Sequence, residues 1–233
     1  MISVGWAEFA LAAVAFAGSH FLPARGELRD DLIGKLGRRS YFAGYGVVSL
    51  LLLGWLISAA GRAPYVELWP PEAWTRWVPA LIMPIAFFLA VAGFGLRYPF
   101  TLGGRRDAQF DPAHPGFAAL TRHPLLWALT LWCAAHLPPN GDLAHILLFG
   151  GFAGVSIAAV PMFDRRAMKT LSIADSTALF RTAPLLSLSI VLSPTWLRDN
   201  ARFLRLRLIL SGVIWGMLLA LHGPVIGASP MPT

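Results

Sequence analysis

The sequence predicts an all-α integral membrane helical bundle of about six transmembrane helices, roughly five to seven, and three observations carry that prediction. Apolar runs close to 20 residues long recur along the chain, and about 20 residues rising about 1.5 Å each cross a hydrocarbon core of about 30 Å. The 233 residues are 56% hydrophobic and only 13% charged, with mean hydropathy +0.61, whereas a soluble domain carries about 25% charged residues. The runs are continuously apolar rather than alternating, so each satisfies its backbone internally as a helix and not as a barrel strand. Residues 1–233 read as a single transmembrane domain with no room for a second, soluble one.

Taken in order, the first span is expected over 2–22, ending where Pro23 and charged residues follow. Ala15-Phe16-Ala17 imitates a signal-peptidase site, but the basic residues follow the apolar core instead of preceding it, so a cleaved signal is rejected. Further spans are expected over 41–60, 77–95, 124–137, 143–162 and 206–222. Pro79 and Pro84 fall within the third, and the fourth is short for a full crossing. Segment 163–204 is cytoplasmic or interfacial. Its stretch 172–193 is apolar with Arg181 inside it, and fits an interfacial or re-entrant helix.

The 19 Lys and Arg exceed the 12 Asp and Glu, giving +7. No basic stripe with interleaved aromatics stands outside the apolar runs, so nucleic acid is not an expected partner. The basic residues instead sit in alternate connections: Arg25 to Arg39, Arg97 to Arg122, and Arg165 to Arg202. The positive-inside rule then places those connections in the cytoplasm and both termini on the periplasmic side. A single cysteine, Cys133, excludes an intrachain disulfide.

Ionisable groups at membrane depth are costly, so the histidines near the spans are the candidates for chemistry. The bland alternative for each is an imidazole bonded to a carbonyl or water. His20 lies on the last turn of the first span. His136 follows Cys133 by three residues, about 300° around a helix, which puts thiol and imidazole on one face. Both are ordinary axial ligands of haem iron, although Cys-x-x-His alone is weak and small buried cysteines usually only pack. His123 caps a helix opened by Pro124; about 220° of helix separates it from His136, so the two have different partners. Arg122 and His123 read either as an interface anchor for head groups or as a binder of an anionic ligand at the helix N-terminus. Asp142 reads as the cap of the fifth span, Asp164 as part of its charged end, and Glu8 as a solvated group near the outer interface.

Several stretches, taken in this order, resemble the NnrU family, membrane proteins associated with nitrite and nitric oxide reduction. They are His20-Phe21-Leu22-Pro23 with Arg29 downstream, Leu36-Gly37-Arg38-Arg39, Tyr45 to Leu50, Gly61-Arg62-Ala63-Pro64-Tyr65 and Pro99 to Gly104. Thr121-Arg122-His123-Pro124, Ala135-His136-Leu137, Asn140-Gly141-Asp142 and Phe149-Gly150-Gly151 continue the set. Resemblance covers roughly residues 15 to 170 and is weaker over the last part. The family is similar to plant and cyanobacterial zeta-carotene isomerases, membrane enzymes that hold non-covalent haem b. The resemblance implies haem b on this chain, with His20 and His136 as imidazole ligands in one redox state and Cys133 competing in the other. It also implies a place in the bacterial inner membrane, and a hydrophobic small molecule or a membrane oxidoreductase as partner.

The expected topology contains a tension. His20 sits at the cytoplasmic end of its span, whereas His136 sits about 18 Å along a span that starts on that side. Either the fourth span begins in a re-entrant segment, or His20 lies deeper, or the partner of His20 is His123. Two other functions stay open. Arg122-His123-Pro124 resembles a motif of isoprenylcysteine carboxyl methyltransferases, which use S-adenosylmethionine, but their paired glutamates are missing from 164–169. The third reading is a non-enzymatic accessory protein for a partner oxidoreductase.

Overall fold

A computed structural model describes residues 3–21 and 27–231 of the protein. The expectations that touch Ile2, Leu22, Pro23 and Arg25 lie outside the described residues. Eight α-helices are described: α1 Val4–Phe21, α2 Glu27–Leu36, α3 Arg38–Arg62, α4 Trp77–Gly93, α5 Pro124–His136, α6 Leu143–Thr170, α7 Ile173–Thr182 and α8 Pro194–Ile226. Among the described residues there is no strand, only one isolated bridge between Glu67 and Asp142.

Four helical segments are long and apolar enough to cross a membrane: Arg38–Arg62, Ala73–Gly93, Leu143–Thr170 and Pro194–Ile226. They match the expected second, third, fifth and sixth spans. The expected first span corresponds to the 18 residues of α1 and the fourth to α5, which has only 13. α6 starts at Leu143 as expected but continues past Asp164 to Thr170, and α8 begins at Pro194 and ends at Ile226, so both helices outrun their apolar cores. Helical hydrogen bonding does not stop where hydropathy does.

Two compact units make up the chain, residues 1–70 with 141–148, and residues 71–140 with 149–233. In the first, α1 packs along α3. Gly5 permits the approach, because a Cβ there would crowd Pro64 Cδ at 3.1 Å. Glu8 is not simply solvated: its carboxylate accepts from Trp55 Nε1 at 3.1 Å and from Arg62 Nε at 3.2 Å. Segment 66–69 pairs with Gly141 and Asp142; Leu68 N–H donates to the Gly141 carbonyl at 2.8 Å. A Cβ on Gly141 would overlap the Trp69 carbonyl oxygen, so this motif glycine is required by close approach. Asp142 caps α6 as expected, accepting from His145 N–H at 3.2 Å.

In the second unit α4 packs against α5 and α8. α4 and α5 approach closely at Gly93, where a Cβ would lie 3.1 Å from Leu125 N. The connection 94–123 folds back on itself through Gly95 and Gly103, both at positive φ, with Gly95 N–H donating to the Gly103 carbonyl at 2.9 Å. Its aromatic side chains, with Leu179, Ala183 and Trp196 from the α7–α8 region, form the hydrophobic core of this unit. Tyr98, Thr121 and His123 of the connection are fully buried with Leu179 of α7 and Pro124 and Cys133 of α5, while the long helices leave most of their apolar surface outward, as lipid-facing helices do.

Candidate functional site

The site residues expected from the sequence fall into three surroundings. Around the N-terminus of α5, Arg122 and His123 meet Asp164 of α6. Arg122 donates from Nε to Asp164 Oδ1 at 2.8 Å and from Nη2 to Oδ2 at 2.7 Å, a two-pronged pair. His123 Nε2 contacts Asp164 Oδ1 at 3.0 Å and its Nδ1 contacts Thr101 Oγ1 at 3.1 Å. A neutral ring satisfies both, donating from Nε2 to the carboxylate and accepting at Nδ1 from the threonine hydroxyl. The His123 side chain is 0% exposed. Its burial is the leading cause that holds the imidazole below its ordinary pKa, against the opposing pull of Asp164.

Tyr98, edge-on to the His123 ring, completes this cluster. Burial pushes its phenol pKa up, and its hydroxyl has no hydrogen-bond partner among the described residues. Arg122 also ties the cluster to segment 183–187: its backbone N–H donates to the Pro184 carbonyl at 3.0 Å. Thr121 Oγ1 donates to the Leu185 carbonyl at 2.7 Å. Hydroxyl, imidazole and carboxylate are in line, as in a hydrolytic relay, but Thr101 is only 5% exposed. No substrate bond reaches a hydroxyl sealed in this way. The arrangement is chemically a clasp between α5, α6 and the end of α7.

At the other end of α5, His136 Nδ1 donates to the Trp132 carbonyl one turn back at 2.8 Å. The ring stacks on Phe149, with centroids 5.2 Å apart, and lies beside Trp132. Its Nε2 has no hydrogen-bond partner among the described residues. Cys133 is on the same helix and fully buried. The expectation that His123 and His136 have different partners holds.

In the first unit, His20 Nδ1 contacts the Phe16 carbonyl one turn back at 2.9 Å, and Ser19 Oγ at 3.1 Å. Phe16 and Tyr45 flank the ring. Here too Nε2 is unpartnered among the described residues. His20 and His136 thus share one local device, although they belong to different units. A backbone carbonyl on Nδ1 fixes the tautomer whose Nε2 lone pair is available to a metal.

Haem iron needs one or two such nitrogens from the protein and the macrocycle supplies the rest. Among the described residues no group of three or more His, Cys, Asp or Glu gathers as for a bare metal ion. Sequence reasoning missed Asp164 and Thr101. The available signal was Asp164 itself, a lone acid at the end of an apolar run, which calls for a cationic partner.

Long apolar helices with most of their surface outward define a helical membrane protein, in which His20 and His136 are each held through one ring nitrogen. Neither a curated protein nor a solved structure matches the chain. A family model described as "NnrU protein" matches residues 8–230, and the chain belongs to the NnrU family.

Proposed function

We propose that this NnrU-family protein binds haem b in the bacterial inner membrane and serves nitrite and nitric oxide reduction or a zeta-carotene-isomerase-like reaction. His136 and His20 are the proposed axial imidazoles, and Cys133 the thiol that competes in one redox state. The observation that carries this is the shared Nδ1-to-carbonyl bond, with Nε2 on both rings lacking a hydrogen-bond partner among the described residues. His123 is the weaker partner for His20, because both of its nitrogens are engaged within the protein. Bound haem would supply an iron that cycles between ferric and ferrous states. The chain's own contribution is to hold each ring, to keep Cys133 in a dry environment, and to fix α5 through the Arg122–Asp164–His123 clasp.

With six crossings, α1 and α5 join the four long apolar segments and both termini face the periplasm. The partner is then a hydrophobic small molecule or a membrane oxidoreductase. A methyltransferase needs Arg122 and His123 free for a ligand, and Asp164 occupies both; stabilisation by S-adenosylmethionine would favour that reading nonetheless.

The test is spectroscopic. The detergent-purified full chain is expected to show a Soret band that shifts on reduction, and to lose it in His136→Ala or His20→Ala. Variants that keep wild-type spectra would remove those residues from the ligand set.

A further inference from the structure

The surface around α7 has a composition that neither the haem reading nor the spans use. α8 has 33 residues, about 50 Å at about 1.5 Å each, against a hydrocarbon core of about 30 Å. Its first turns therefore stand outside the core, and they carry exposed Arg198, Arg202 and Arg205. α6 has 28 residues, about 42 Å, and its last turns carry exposed Arg165, Arg166 and Lys169. None of these six, nor Arg181 on α7, has a carboxylate within ion-pair distance among the described residues. The acids within residues 163–205 are Asp164, taken by Arg122 and His123, with Asp175, bonded to Ser172, and Asp199.

Between the two basic clusters runs segment 171–193. Its inward side is fixed: Leu179 and Ala183 are in the core, and Ser187 N–H donates to the Leu120 carbonyl at 2.8 Å. Its outward side is apolar, with Ile173 88% exposed, Leu188 66% and Leu192 80%. Large aliphatic side chains held outward at the level where two spans leave the bilayer face either head groups or water, and unpaired arginines bracket them. Apolar side chains below and cations above form the pattern of a helix lying in a membrane interface.

We propose that segment 171–193 lies flat in the head-group layer of an anionic leaflet, with Ile173, Leu188 and Leu192 among the upper acyl chains and the flanking basic residues on lipid phosphates. This rests on α6 and α8 crossing the bilayer and is independent of haem. It identifies the lipid class as anionic phospholipid, since seven cations without a carboxylate in ion-pair distance among the described residues are drawn to a net negative leaflet more strongly than to a zwitterionic one.

The experiment uses the full chain in vesicles of phosphatidylcholine alone or mixed with phosphatidylglycerol. Leu192→Cys is labelled with a polarity-sensitive fluorophore; Cys133 is fully buried and does not compete for label. Val213→Cys in the middle of α8 serves as the spanning control. The label at 192 is expected to be quenched by a shallow nitroxide lipid and protected from aqueous iodide. Phosphatidylglycerol should also raise the thermal midpoint by several degrees, and Arg181→Gln, Arg198→Gln and Arg202→Gln together should remove most of that rise. Iodide access at 192 with lipid quenching at 213 overturns the proposal alone. Shielding of 192 from both quenchers means that a protein covers the segment and also overturns it, as do equal midpoints in the two lipids. Iodide access at 213 overturns the crossing of α8 and the proposal with it.

Discussion

The two ends of α5 each carry a histidine, and the structure treats them oppositely. At the N-terminal end His123 is sealed and both nitrogens are bonded, one to Thr101 and one to Asp164. At the C-terminal end His136 is tied through Nδ1 and stacked on Phe149, with no hydrogen-bond partner on the second nitrogen among the described residues. Spacing sets His136 beside Cys133 and His123 at a helix cap, but it does not show how many partners either ring has. What separates them is the number of partners: a ring with two is fastened into the fold, and a ring with one is oriented for something else. His20, in the other unit, is of the second kind.

The largest effect expected from breaking this contrast lies at the sealed end. Asp164→Ala leaves the buried His123 and the partly buried Arg122 without their carboxylate, which costs up to about 3–5 kcal/mol, the figure for a buried pair that loses one partner. Thermal unfolding in detergent should show a large drop, with helix content kept in the surviving fraction. If Asp164→Ala is as stable as wild type, the clasp is not structural.

The next effect is in pH. Burial keeps the His123 pKa low, so its neutral form is the folded one. Its contribution is present in full above the unfolded value of about 6.5 and is lost as pH falls below that, by at most about 1.4 kcal/mol per pH unit. The stability difference between wild type and His123→Gln should therefore shrink on acidification. A difference constant from pH 8 to 5 contradicts a buried neutral ring.

At the open end the effects on stability are smaller and those on a cofactor larger. His136→Ala removes one hydrogen bond, worth about 1 kcal/mol, and should leave the cofactor-free protein folded while abolishing its Soret band. Cys133→Ala deletes one buried sulfur and should cost about 1 kcal/mol or less. Its signature is spectral: the redox state in which the thiol competes should take on the bis-imidazole spectrum. An unchanged spectrum in both redox states would remove Cys133 from the coordination chemistry.

Helix type and position were legible because hydropathy reports lipid contact directly: expected spans 41–60 and 77–95 lie close to α3 and α4. The ends were less legible, since α6 and α8 run on through charged turns that hydropathy excludes. The Asn140-Gly141-Asp142 turn was readable as a turn, but its pairing with 66–69 is a long-range contact with no local signature. The same limit hid the clasp. Asp164 reads locally as a helix end, and only folding brings it to Arg122 and His123. Among the histidines, residue type and helical face could be read from spacing, whereas the number of ring partners could not. That number depends on whether a carboxylate from another helix arrives.

The central claim is that the open imidazoles serve a haem, and the most direct measurement is an absorption spectrum of the detergent-purified full chain, oxidised and then reduced. A Soret band that sharpens and shifts on reduction, retained in His123→Gln and lost in His136→Ala, is the predicted result. A colourless protein that stays colourless after incubation with hemin, or a haem spectrum lost in His123→Gln and kept in His136→Ala, contradicts it.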